Sequence, residues 1–258
     1  QPLFNGGANL NYNTRKFTTY LNFDLSERGY IRDAEITRLF PEGSDIFKFN
    51  QLGKQDRKSL RPSLNTGADF DLSERSSIGA CLQLNQVDKE VEWNTNNQLF
   101  DAPQSRFAVI DSDNNTSEDV LNGRFNLHYS LELDTLGTKI SANMDYAFFE
   151  KDINSSFHND YLFENGEMRE EVIFNTSLSN YDIYAGRVDL SMPLKGGSTF
   201  ETGLKASRVV SKSNLDYFEQ QDNERALVPD LSDNFKYEEE IYAAYVNYSK
   251  SFGEKWSL

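Results

Sequence analysis

The residues able to do chemistry are few and scattered. The chain has two histidines, His128 and His158, and one cysteine, Cys81. Metal ligation or nucleophilic catalysis needs such groups clustered, or a histidine with a carboxylate or nucleophile at hand. His128 lies in an alternating run beside Asn126 and Ser130, which predicts a satisfied histidine on the polar side of a strand. His158 falls in a stretch that reads as a loop. The nearest approach to a cation site is Asp111-Ser-Asp113-Asn-Asn115, which opens like an EF-hand loop. Thr116 then stands where that loop needs glycine and Asn122 where it needs glutamate, so the motif fails. There is no G-x-S-x-G, no phosphate-binding glycine loop and no Cys/His cluster. The expectation is a protein that is not an enzyme, with no catalytic residue, no metal and no cofactor, and with its ligand-binding residues unassigned. A lone Cys81 excludes an internal disulfide and reads as a small filler on a polar strand face.

The elements that hold these side chains show in the hydropathy pattern. From Leu121 to Asp134 every odd position is apolar, aromatic or glycine and every even one polar or charged. A β-strand turns successive side chains to opposite faces, so this run has one apolar and one wet side. After Thr135-Leu-Gly-Thr138 the alternation resumes through Ile140, Ala142, Met144, Tyr146 and Phe148, which predicts a hairpin of long strands. The same pattern places Phe17, Leu21, Phe23 and Leu25 on one face, as it does Leu64, Phe70 and Leu72. Further along it marks Val188, Leu190 and Met192, then Phe200 and Leu204, then Tyr242, Val246 and Tyr248. Charges stay off that face, as a membrane-spanning β-barrel requires.

Composition agrees. Hydrophobic residues are 38%, aromatics 13% and mean hydropathy −0.66, low for a protein that must fill an apolar core. A net charge of −15 argues against a nucleic-acid partner. No run of eighteen apolar residues offers a transmembrane helix.

Short turns are expected near Asn13-Thr-Arg15, Glu74-Arg-Ser76, Thr135–Thr138, Lys195-Gly-Gly-Ser198 and Gly253-Glu254. Between them lie four long connections, roughly 26–58, 87–119, 150–170 and 211–234, read as loops that include the acidic stretches. Short strands at Ala34–Phe40 and Arg106–Ile110 are the exceptions expected inside them. Tight turns on one rim and long loops on the other are the layout of outer-membrane barrels. The fold expected is all-β, an antiparallel up-and-down meander of about ten long strands forming part of a large transmembrane β-barrel. The chain starts at Gln1 without methionine or signal peptide, and Lys255-Trp-Ser-Leu258 begins a strand that stops at once. The expectation is one domain over 1–258, truncated at both ends.

Three stretches carry a family resemblance: Tyr184-Ala-Gly-Arg-Val-Asp-Leu-Ser-Met-Pro-Leu194, Phe200-Glu-Thr-Gly-Leu-Lys205 and Phe235 to Trp256. The opening Gly6-Gly-Ala-Asn-Leu-Asn-Tyr12 and Phe70-Asp-Leu-Ser-Glu-Arg-Ser-Ser-Ile-Gly79 fit the same pattern. They resemble TonB-dependent outer-membrane receptors, in particular the outer-membrane-protein β-barrel family of Bacteroidetes. The resemblance implies a Gram-negative outer-membrane location and a larger complete barrel filled by a plug that contacts TonB. This chain departs from it in carrying about ten strands and no plug.

The leading function is therefore a barrel segment of a TonB-dependent receptor importing an unidentified nutrient. Its acidic loops would form an extracellular vestibule, and its partners would be outer-membrane lipid, the TonB complex and a surface lipoprotein. The alternatives are a passive or adhesive outer-membrane barrel, or a soluble carbohydrate-binding β-sandwich.

Overall fold

Period-two sequence becomes strand throughout. The computed structural model describes residues 4–42, 45–101, 106–221, 224–252 and 256–257. The strands are β1 (Phe4–Asn13), β2 (Phe17–Glu42), β3 (Asp45–Ser73), β4 (Ser76–Phe100), β5 (Arg106–Glu132), β6 (Lys139–Phe163), β7 (Met168–Leu194), β8 (Ser198–Gln221), β9 (Glu224–Leu227), β10 (Asp233–Phe252) and β11 (Trp256–Ser257). A single 3-10 turn, Pro229–Leu231, separates β9 from β10. Each long strand pairs antiparallel with its predecessor in one sheet, β9 folds back on the end of β8, and β10 takes the next place beside β8. β1 and β11 end the path and do not pair with each other among the described residues, so the sheet is open. A single sheet overturns the sandwich alternative, which needs two packed layers.

The tight turns form where local chemistry supplies them. Asp134 accepts the amides of Leu136 and Thr138 at 2.8 and 3.0 Å, and Gly137 takes a φ of +95°. Gly196 and Gly197 provide the positive φ between β7 and β8. Thr14 accepts the Phe17 amide at 3.0 Å and closes the first hairpin. Residues 253–255, where a last turn was expected, lie outside the described residues.

Among the described residues the four long connections are mostly strand, with 164–167 and 228–232 the exceptions. Register continues along β2 and β3 to Glu42 opposite Asp45, and along β4 and β5 to Phe100 opposite Arg106. β6 and β7 stay paired to Leu162 opposite Met168. Strands β2 to β8 therefore run 24–29 residues. At about 3.3 Å per residue that is roughly 80–95 Å, far beyond the 9–11 residues needed to cross a bilayer. Ala34–Phe40 and Arg106–Ile110 lie within these extensions, in β2 and β5.

Two zones follow along the strands. Near the tight turns the outward face is apolar and open, with Met144 63%, Leu204 65% and Tyr242 76% exposed. Away from the turns, outward charge first appears at Glu27, Asp88, Asp119, Glu150, Arg208 and Glu240. Asp88 pairs with Asp119, and Asp119 with Asp152, so the edge of the apolar band continues from strand to strand. Only Ala108 is a buried hydrophobe among the described residues, at 4% exposure. Without an interior core, the sheet depends on lipid to cover its apolar face.

Candidate functional site: the polar inner wall

Because register shifts only near the strand ends, at Asp71/Ser73 and Leu99/Phe100, one polar face runs from the tight turns toward the far hairpin tips. In the membrane layer its side chains tie neighbouring strands together. His128 holds Asp69 Oδ1 at 2.7 Å from Nε2 and Asn126 Oδ1 at 3.1 Å from Nδ1. Asn126 donates to Asp145 Oδ1 at 2.9 Å, and Arg124 donates to the same oxygen at 3.0 Å. Arg187 pairs with Asp189 at 2.7 Å, and the Tyr245 hydroxyl donates to Asp189 at 2.8 Å. Asn247 donates to Glu201 at 3.0 Å. These carboxylates are held by donors on the same and neighbouring strands.

Above the apolar band, Glu118 lies between two cations. Lys89 donates to it directly and Lys151 Nζ is 3.5 Å away. Burial raises the Glu118 carboxyl, but the hydrogen bond and charge of Lys89, with those of Lys151, outweigh it and hold the group below the usual carboxylate range. Higher on β6 and β7, the Tyr161 hydroxyl donates to Glu171 at 2.9 Å while Arg169 sits 5.5 Å from the Tyr161 ring. Burial, then Glu171, push the Tyr161 phenol up.

Charge is sorted between the two faces of these extensions. Alternation in β4 and β5 turns Glu90, Glu92, Asp111, Asp113 and Asp119 outward, where they are exposed; Val91, Trp93, Thr95 and Ser112 turn inward and are shielded. The register sets Arg28, Arg32, Arg57, Arg61, Lys89 and Lys151 on the inner face. Glu118 is the one acid on that face of the β2–β6 extensions among the described side chains. Along the β2–β6 extensions the acidic vestibule expected from the sequence is thus corrected: the acids there face away from the interior, apart from Glu118, and the inner wall is basic, whereas β7, β8 and β10 keep Glu171, Glu219 and Glu239 on the inner face. A loop reading hid this, because face is defined only once these residues lie in a strand. The spacing Arg28-x-Tyr30-x-Arg32 and Arg57-x-Ser59-x-Arg61 is the signal that could have revealed it.

The other singled-out residues fall as follows. His158 is in β6, not a loop, on the outward face with Nε2 3.0 Å from Glu170 and 3.5 Å from Asp160. Asp111 lies in β5 and accepts from Asn96 at 2.7 Å. Cys81 is free and half-buried on the polar face. No group of three or more His, Cys, Asp or Glu side chains is arranged to hold a metal among the described residues.

Similar solved structures include the ferric yersiniabactin uptake receptor FyuA from Yersinia pestis, at 10% identity and TM-score 0.28, covering 98% of this chain and 43% of that one. The siderophore receptor PiuA from Acinetobacter baumannii is similar at 8% identity and TM-score 0.24, covering 96% and 46%. This chain thus spans less than half the length of either. No curated protein matches it in sequence. Residues 131–258 match the outer membrane protein beta-barrel family. With its apolar band outside and polar wall inside, that stretch of the outer-membrane sheet belongs to this family.

Proposed function

We propose that this sheet is part of the wall of a TonB-dependent outer-membrane receptor that imports a nutrient, and that it carries no catalytic activity of its own. The observation that supports this best is the continuous inner face. Its polar side chains are tied laterally in the membrane layer, as by Asp69–His128 and Asp189–Tyr245, and the same face rises over β2–β6 into a tall extension with a different, basic character. That arrangement suits a lumen for a polar occupant below and a capture surface above. A plug would occupy the lumen and reach TonB, and a surface lipoprotein would meet the hairpin tips.

The test is uptake by cells carrying or lacking the protein. Growth-linked nutrient uptake that needs both the protein and an intact TonB complex supports the reading. Uptake that persists without TonB, or steady conductance of the purified protein in planar bilayers, overturns it in favour of a passive barrel.

A further inference from the structure

We propose that Arg28, Arg32, Arg57 and Arg61 form an anion-binding patch on the inner wall of the extracellular extension, for a ligand bearing several carboxylate or phosphate groups. This rests on the reading above, in which the inner wall meets incoming solute.

The register builds the patch. Arg28 lies opposite Ser59, between Arg57 and Arg61 on β3, and Arg32 lies opposite Gln55, the next inward position beyond Arg57. The four therefore zigzag across one strand pair in diagonal steps of about 7–8 Å. Clustered like charges on adjacent strands destabilise a sheet, so such a group calls for an anionic partner. Among the described residues none of the four forms an ion pair, although Asp24 stands one diagonal step from Arg61 on the same face. Arg28 and Arg32 are exposed and form no ion pair among the described residues, and the Nε of Arg61 is buried with no hydrogen-bond partner. The neighbouring cation, Lys89, already has Glu118.

The patch is also partly ordered in advance. The Arg57 guanidinium stands 5.7 Å from the Tyr30 ring centroid, and the Tyr30 hydroxyl donates to Gln55 Oε1 at 3.4 Å. Stacking holds one guanidinium face and leaves its N–H edge free for bidentate pairing with a carboxylate or phosphate.

The experiment is calorimetry on the complete receptor in detergent, with citrate and inorganic pyrophosphate as probes and sucrose as the neutral comparator. Both anions should bind, more weakly as salt rises, while sucrose should not. The Arg28→Gln/Arg57→Gln double variant should lose affinity at least tenfold, exposed Arg32→Gln alone should lose several-fold, and Lys54→Gln on the outward face should change nothing. Absence of binding by either anion, or equal losses in the Lys54 variant, overturns the patch. Failure of binding in a receptor that still imports removes the patch alone; binding by a protein with no energised uptake keeps the patch and removes the import reading.

Discussion

Tyr245 on β10 hydrogen-bonds Asp189 on β7 at 2.8 Å although β8 lies between them. The contact is possible because the residue between them in register is Gly203. The same device recurs where His128 on β5 reaches Asp69 on β3 across Gly79 of β4. In both places a missing side chain lets two polar groups meet over the middle strand and clamps three strands with one hydrogen bond.

Gly203→Val and Gly79→Val test the clamp. Valine favours strands, so propensity alone predicts stabilisation. A Cβ at Gly203 would collide with Tyr245 and Asp189, and one at Gly79 with Asp69 and His128. The expected result is a loss of about 1–3 kcal/mol from overpacking, plus the lost charged hydrogen bond. Guanidinium unfolding of protein refolded in bilayers measures it. Gly186→Ala, which meets nothing within 4 Å, should stay within about 0.5 kcal/mol of wild type. Equal effects at all three positions would refute the clamp.

Glu118 predicts an acid-sensitive extension. Its carboxyl is held below the unfolded value by Lys89 and Lys151, at 17% side-chain exposure. A depressed folded pKa contributes stability above the unfolded value of about 4.5 and loses it as pH falls through the folded value. Glu118→Gln should destabilise by about 1–3 kcal/mol at neutral pH, because Lys89 and Lys151 then face each other unpaired. The variant should converge on wild type only as pH falls through the lowered folded value. Hydrogen exchange along β4–β6 reads this locally, and a pH-independent difference would sink the assignment.

The membrane layer was legible in the sequence and the extension was not, for a physical reason. At Leu121–Asp134 lipid selects one face and water the other, so the alternation is binary. At Asp88–Asp119 both faces carry polar side chains. Glu90 and Glu92 are polar outside, Thr95 and Asn97 polar inside, and period two vanishes although backbone pairing continues. Nor can spacing reveal that Asp69 meets His128, 59 residues apart, since that depends on two successive registers. The basic inner wall of β2–β6 was hidden by the same loop reading: the acids dominate composition, yet alternation sends those of the β2–β6 extensions, Glu118 apart, outward.

Orientation can be tested by labelling. In a Cys81→Ser background, Asn115→Cys on the extension should react with a membrane-impermeant maleimide on intact cells. Gly196→Cys in the β7–β8 turn should react only after the outer membrane is permeabilised. The reverse pattern would place the tight turns outside the cell.

The outward apolar band makes the sharpest prediction about environment. Met144 is the central position of the outward series Ile140 to Phe148 on β6 and is 63% exposed, so its surroundings must be lipid. In water, Met144→Arg on an exposed site would be nearly neutral. Facing hydrocarbon, an arginine near the midplane costs about 2–4 kcal/mol, and the cost falls toward the interface. Leu121→Arg, beside outward Asp119 at the band's upper edge, should therefore cost about 1 kcal/mol or less. Ser117→Arg, one outward position beyond Asp119, should cost nothing measurable. Unfolding of the three variants in liposomes gives the gradient. Equal costs along the series would mean that the apolar face is covered by protein and not by lipid.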